Sequence, residues 1–248
     1  MVISRKQLVL VPLLIFSLLN GTPPFTCNMA EFNHQFFTCI YKMNGWGSAE
    51  SASGPGSTLA ETEVIRTQLP IILQELGVKV LLDAACGDFN WVQHVNLDFL
   101  DMYIGIDIVY DMISSNIRKY GNHPKRLFMR KDIIVDQLPT ADAVMCRDCL
   151  SHLNFDDIWK IFANFKRNGT TKWIIITTYP SRTINQDLPL TALFNLLRYR
   201  PLNFQAAPFN FKSPRYVFNE KSTENGIGDK SFAVWHVDDI VLPAHIKI

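Results

Sequence analysis

A chain of 248 residues with 48% hydrophobic and 19% charged side chains can bury one sizeable core, and a single α/β domain is the default at this length. Its 24 basic and 23 acidic residues leave a net charge of +1 and form no long basic block, so no electrostatic case exists for a nucleic-acid partner.

The chain begins with Arg5 and Lys6 ahead of an apolar run, Leu8 to Leu19, which breaks at Asn20-Gly21-Thr22-Pro23-Pro24. A basic head, about a dozen apolar residues and a polar follow-on predict a targeting segment over residues 1–26, shorter than the ~20 residues a membrane span needs. No small-x-small cleavage site is present. A cleaved secretory signal, an N-terminal membrane anchor and a buried leader helix therefore all stay open.

Residues 27–248 are read as one domain. Phe32, Phe36, Phe37, Ile40 and Tyr41 recur at helical spacing and predict a helix over Met29 to Asn44. Trp46 to Ser57 is a loop rich in Gly, Ser and Pro, which serves either as a flexible linker or as a lid in which Trp46 covers a ligand. Thr58 and Glu61 form a capping-box pattern, so a helix is expected from Thr58, interrupted at Pro70 and resumed over Ile71 to Leu76. Arg66 on that helix is either solvated or turned to the mouth of a site to hold a carboxylate.

Val78 to Leu82 is a β-branched and leucine run that reads as a strand buried on both faces. The turn after it, Asp83-Ala84-Ala85-Cys86-Gly87-Asp88-Phe89-Asn90, is small and polar, which lets backbone approach a ligand. A short helix is predicted over Asn90 to Val95. The second strand, Met102 to Ile106, ends on Asp107, where nucleotide-binding α/β folds place a carboxylate for ribose hydroxyls.

Tyr110, Ile113, Ile117 and Tyr120 predict an amphipathic helix stopped at Gly121. Arg126 to Arg130 is the third strand, leading into Asp132-Ile133. Ala141 to Cys146 is the fourth, and Arg147 to Leu153 form the loop at its carboxyl end, where an open α/β sheet binds ligands. Asn154 caps a helix that buries Phe155, Ile158, Phe162 and Phe165 and closes at Asn168-Gly169. Trp173 to Thr178 is the fifth strand. Residues 181–213, with a helix at Leu190 to Leu197, are an insertion over the site or an irregular surface loop. Arg215 to Phe218 and Ser231 to Val237 fit a final antiparallel pair within 214–248. Asn20-Gly21-Thr22 and Asn168-Gly169-Thr170 are sequons, which matter only in a eukaryotic secretory setting.

The strand ending in Asp83-Ala84-Ala85-Cys86-Gly87, followed by Gly105-Ile106-Asp107-Ile108, resembles the first two motifs of the class I S-adenosylmethionine (SAM)-dependent methyltransferases. The family reads Asp-x-Gly-x-Gly-x-Gly in the turn; this chain has Ala85 and Phe89 at the first and third glycine positions and keeps Gly87, which implies a shifted turn and a pocket narrowed at Phe89. The resemblance implies a Rossmann-like domain with a mostly parallel seven-stranded sheet, helices on both faces and an antiparallel C-terminal strand pair. It covers Trp46 to the C-terminus, with a lid within 29–76, a core over 77–180 and an acceptor-side insertion over 181–213.

It further implies SAM as cofactor, held by Trp46, Arg66, Asp83, Ala84, Ala85, Cys86, Gly87, Asn90, Asp107 and Ile108, with Asp132 beside the adenine amino group and Ile133 on its face. Arg147 points into the cofactor pocket or to a structural carboxylate. Asp148 and His152 are the candidates to orient the acceptor or take its proton, against a structural histidine as the plainer reading of His152. The acceptor, small molecule or protein, is left open. An exported leader and a cytosolic cofactor pull localisation in opposite directions.

The five cysteines, Cys27, Cys39, Cys86, Cys146 and Cys149, make no disulfide framework; Cys27 and Cys39 pair only if the chain is exported. Cys146-x-x-Cys149 has metal spacing, but a closed zinc site needs four ligands and no second pair follows, so no metal is expected. Two rivals stand beside methyl transfer. A nicotinamide-dependent oxidoreductase would want a G-x-G-x-x-G turn that Ala85 and Phe89 fit poorly, and an exported binding or effector module would keep the fold without turnover.

Overall fold

The computed structural model describes residues 29–188, 198–222 and 228–247. The expected targeting segment at 1–26, Cys27 and the helix read at Leu190 to Leu197 lie outside them. Among the described residues seven strands form one sheet: β1 (Val80–Ala84), β2 (Met102–Asp107), β3 (Arg126–Arg130), β4 (Ala143–Cys146), β5 (Trp173–Thr178), β6 (Tyr216–Asn219) and β7 (Ser231–His236). Their order is β3-β2-β1-β4-β5-β7-β6; the first five run parallel, while β7 pairs antiparallel with both β5 and β6. The helices are α1 (Met29–Met43), α2 (Glu63–Glu75), α3 (Tyr110–Tyr120) and α4 (Phe155–Arg167).

Successive strand residues point to opposite faces, so each apolar strand feeds two cores. Leu82, Ile104, Val144 and Ile174 pack with Ile158, Phe162 and Phe165 of α4. Leu81, Tyr103, Met145 and Ile175 pack with Ile65, Leu69 and Leu73 of α2 and Ile113 of α3 on the other face. Helices thus cover both sides. The expected cap of α4 is present, with the Asp157 N–H donating to Asn154 Oδ1 at 2.8 Å. No helix among the described residues is long and apolar enough to cross a membrane.

Two elements, α2 and β4, differ here from their sequence reading. α2 starts at Glu63: half of the expected capping box forms, the Glu61 N–H donating to Thr58 Oγ1 at 3.4 Å, but the Glu61 carboxylate turns away to accept from Ser222 Oγ at 2.6 Å. It also runs unbroken through Pro70: proline removes one N–H, while Ile65, Leu69, Ile72 and Leu73 anchor the helix on both sides of it. β4 begins two residues late, since the Asp142 carboxylate accepts from the N–H groups of Lys79 and Val80 at 2.9 and 2.8 Å and ties the entry of β1 instead.

β1 is followed by β2 on one side and flanked by β4 on the other. The strand order reverses there, and in an open α/β sheet the crevice at the carboxyl ends of those strands is the ligand site.

Candidate active site

That crevice opens into a cavity of about 590 Å³. Its floor is the turn after β1. Gly87 has φ of +57°, in the left-handed region, and a Cβ built on it would stand 2.1 Å from Ser53 Oγ. Its peptide is held from both ends. The Gly87 N–H donates to Asp107 Oδ2 at 3.1 Å, and Asn116 Nδ2 of α3 donates to the Gly87 carbonyl at 2.7 Å. Asp107 Oδ1 accepts from the Val109 N–H at 3.0 Å, so this buried carboxylate joins the two strand ends. Burial, outweighing those backbone donors, pushes the Asp107 carboxyl above its usual range.

Phe89 shares the left-handed conformation, with φ of +60°, but its ring does not narrow the cavity. It is buried on the far side of the turn against Tyr103, Tyr120 and Phe128, at centroid distances of 5.1, 5.0 and 5.2 Å. Aromatic packing there offsets the cost of a non-glycine residue at positive φ.

The loop from Trp46 to Ser57 closes over the turn, and Asp88 is its latch. The Asp88 carboxylate accepts from Ser51 Oγ and Ser53 Oγ at 3.0 Å and from the Ala52 N–H at 2.7 Å, while the Asp88 N–H donates back to Ser53 Oγ at 2.9 Å. Asn90 completes the latch from outside the cavity, donating to Glu50 Oε1 and to the Ser57 carbonyl. The helix expected at Asn90 to Val95 is only a single 3-10 turn, Val92–His94, because the Asn90 side chain is committed to this loop.

The loop after β4 carries a buried ion network. Arg147 donates to Glu220 Oε2 through Nε at 3.1 Å and Nη2 at 2.5 Å, approaches Asp148 Oδ2 at 3.2 Å and lies 5.5 Å from the Trp91 ring. Lys230 Nζ meets Asp148 Oδ2 at 2.5 Å with its own side chain 2% exposed. Asp148 sits at φ of +54°, its N–H donating to Thr177 Oγ1. Burial pushes its carboxyl up, but Lys230 and Arg147 outweigh burial and hold it below the usual carboxylate range. A carboxylate so held is an acceptor of hydrogen bonds and a poor acceptor of protons.

Beyond Asp148 the cavity is walled by rings. His152 lies 4.7 Å from Trp46, 5.5 Å from Tyr199 and 6.4 Å from Phe37. Tyr199 is fixed by a hydrogen bond between its hydroxyl and that of Tyr179. Phe37 comes from α1, which is pinned by Arg198: its guanidinium stands 3.7 Å from the Phe36 centroid and donates to Asn33 Oδ1.

No protein-family model matches the chain, and neither does any curated protein. Solved structures do. Magnesium protoporphyrin IX methyltransferase (ChlM) from Synechocystis, with bound S-adenosylhomocysteine (SAH), superposes with a TM-score of 0.55 at 14% identity over 82% of this chain and 97% of the other. The N-methyltransferase NodS from Bradyrhizobium japonicum, in complex with SAH, gives 0.54 at 9% identity over 81% and 97%. The fold is that of the class I methyltransferases.

Within this methyltransferase fold, Trp46, Asp83, Ala85, Cys86, Gly87, Asp107, Ile108, Asp132, Ile133, Arg147, Asp148 and His152 all line the one cavity. Three residues of the sequence reading do not. Ala84 packs its methyl into the α4-side core, Asn90 serves the lid, and Arg66 donates to the Leu59 carbonyl at 2.8 Å rather than facing the mouth. Asp132 caps its own turn, with Oδ1 accepting from the Ile134 N–H at 2.9 Å, and still borders the cavity with Ile133. Residues not singled out in the sequence are Asp88, Asn116, Glu220, Lys230 and the ring wall of Phe37 and Tyr199. Cys146 is buried at the end of β4, and Cys149 borders the cavity; among the described residues no cluster of His, Cys, Asp or Glu could hold a metal ion.

Asp83, at the bottom of the cavity, accepts from the Tyr103 hydroxyl at 2.6 Å. Burial raises its pKa to about 7, with Asp107 adding to the rise and Tyr103 and Arg147 opposing it. A carboxyl raised in the folded state stabilises the fold fully below its unfolded value near 3.8, and that contribution is lost as pH climbs through about 7. Melting temperature is therefore expected to fall between about pH 4 and about pH 7 in wild type, and Asp83→Asn should flatten the fall. An unaltered pH dependence in the variant would show that folding does not raise the Asp83 pKa.

Proposed function

We propose that the protein is a SAM-dependent methyltransferase. The observation that carries this reading is the charge of the cavity around the Asp107–Gly87 pair. Asp83, Asp88, Asp107, Asp132 and Asp148 border it; burial raises the Asp83 pKa to about 7 and Asp148 is matched by Lys230 and Arg147, which leaves Asp88, Asp107 and Asp132 against Lys131. A sulfonium cation suits such a chamber, whereas a dinucleotide's pyrophosphate would face carboxylates and find no helix N-terminus after the turn, only the Val92–His94 turn.

The residues present fit the cofactor. Asp107 offers a carboxylate for ribose hydroxyls, Ile108, Val109 and Met112 with Ile133 offer apolar walls for adenine, and Gly87 leaves room for close backbone approach. SAM bound there would supply an electrophilic methyl carbon, whose bond to sulfur breaks as the nucleophile attacks in line and leaves its electron pair on sulfur. The chain's own residues supply alignment and exclude water: the Asp88 latch holds the lid shut, Asp148 orients the acceptor, and His152 takes its proton.

Calorimetry with SAM, SAH and NADH tests the reading. Both methionine cofactors should bind, and Asp107→Ala should lose on the order of 1.5–3 kcal/mol, part of it through loosening of the Gly87 peptide. Binding of NADH alone, or an undiminished Asp107→Ala, would overturn the proposal.

A further inference from the structure

Resting on the SAM reading of the cavity, we propose that the methyl acceptor is a small planar aromatic molecule, uncharged or cationic, that carries its nucleophilic O–H or N–H on the ring. The acceptor end is bounded by Phe37, Tyr41, Trp46, His152 and Tyr199. Their planes are not parallel: His152 meets Trp46 at 46°, Tyr199 at 57° and Phe37 at 88°. A planar ring entering such a chamber meets faces on one side and edges on another, the offset and edge-to-face contacts aromatic pairs prefer. These walls are pre-set, since Arg198 holds α1 and the Tyr179 hydroxyl holds Tyr199.

Charge narrows the class further. A carboxylate or phosphate on the acceptor needs a cation, and Arg147 is already bonded to Glu220 and Asp148. Lys131 follows β3, across β2 and β1 from the loop that carries Asp148. Asp148, by contrast, borders the cavity with its side chain 23% exposed; Oδ2 serves Lys230 and Arg147, and Oδ1 is enclosed. An ionised carboxylate at the edge of a ring-walled chamber is matched by an O–H or N–H donor on the incoming ring, whose proton passes to His152 as the methyl group is transferred.

Phenol, cyclohexanol and benzoate are the probes, titrated against the SAH-loaded full chain and followed by NMR shifts of the indole N–H groups. Cyclohexanol keeps the hydroxyl and the size without the plane, and benzoate keeps the plane and adds an anion. Phenol should bind about tenfold more tightly than either, the factor expected of one good aromatic contact. Phe37→Leu and Trp46→Leu should each abolish the preference for phenol over cyclohexanol, and Phe37→Leu should hold SAH within about twofold of wild type. Cyclohexanol or benzoate binding as well as phenol to SAH-loaded protein would overturn the acceptor class and leave the cofactor reading intact. Failure of SAH itself to bind would instead overturn the cofactor reading.

Discussion

Lys230→Met is expected to destabilise the protein by about 3–5 kcal/mol, the cost of leaving a buried charge without its partner. Lys230 is enclosed at the entry of β7, and its ammonium meets Asp148 Oδ2 at 2.5 Å. Methionine fills the same volume and removes the charge. Asp148 would then keep Arg147, whose guanidinium is already shared with Glu220. The double variant Lys230→Met/Asp148→Asn should recover part of the loss, because asparagine tolerates the left-handed backbone at φ of +54° and brings no uncompensated charge. Chemical denaturation of the three proteins measures both effects. A single variant within about 1 kcal/mol of wild type would mean the pair behaves like a solvated surface bridge.

This network also marks where the sequence stopped being informative. Strands β1, β2, β4 and β5 were legible because a strand buried on both faces is mostly apolar, as residues 80–82 and 173–176 are, whereas the edge strand β3 buries only Phe128. Asp107 was legible because it ends the second strand about 20 residues past the turn, and that spacing survives although only the Val92–His94 turn joins β1 to β2. Nothing local announces that Arg147 pairs with Glu220, 73 residues on, or that Asp148 pairs with Lys230, 82 residues on. Those contacts exist only because β6 and β7 return antiparallel beside β5.

Asp88 was missed for a related reason. In the turn it reads as a solvated polar residue, and its donors, Ser51 to Ser53, lie 35 to 37 residues earlier in a loop of small residues. Phe89 and Arg66 were misplaced by a different rule. Composition shows that Phe89 occupies a glycine position, but only the backbone shows that its ring leaves the turn away from the cavity, into the cluster of Tyr103, Tyr120 and Phe128. Arg66 had two readings, a solvated side chain or a group at the mouth of the site. The late start of α2 leaves the Leu59 carbonyl within its reach, and a nearby carbonyl competes better for a guanidinium than a distant ligand.

His152→Phe is expected to slow single-turnover methyl transfer to a phenolic acceptor by about 10²–10⁴-fold, the usual contribution of a positioned general base. Two carboxyls near the acceptor are poor choices for that task. Asp148 is held below the carboxylate range by Lys230 and Arg147, and Asp83, at the bottom of the cavity and almost fully buried, accepts from the Tyr103 hydroxyl. His152 faces the chamber on the loop that leaves β4, among Phe37, Trp46 and Tyr199. Phenylalanine preserves those ring contacts, so melting temperature and SAH affinity should both stay near wild type, and the loss should fall on the transfer rate. Raising the pH should restore part of that rate, because an acceptor already ionised in solution no longer needs a base. A variant with unchanged transfer would assign His152 to the wall alone, and one that melts early would make its rate uninterpretable without the more conservative His152→Gln beside it.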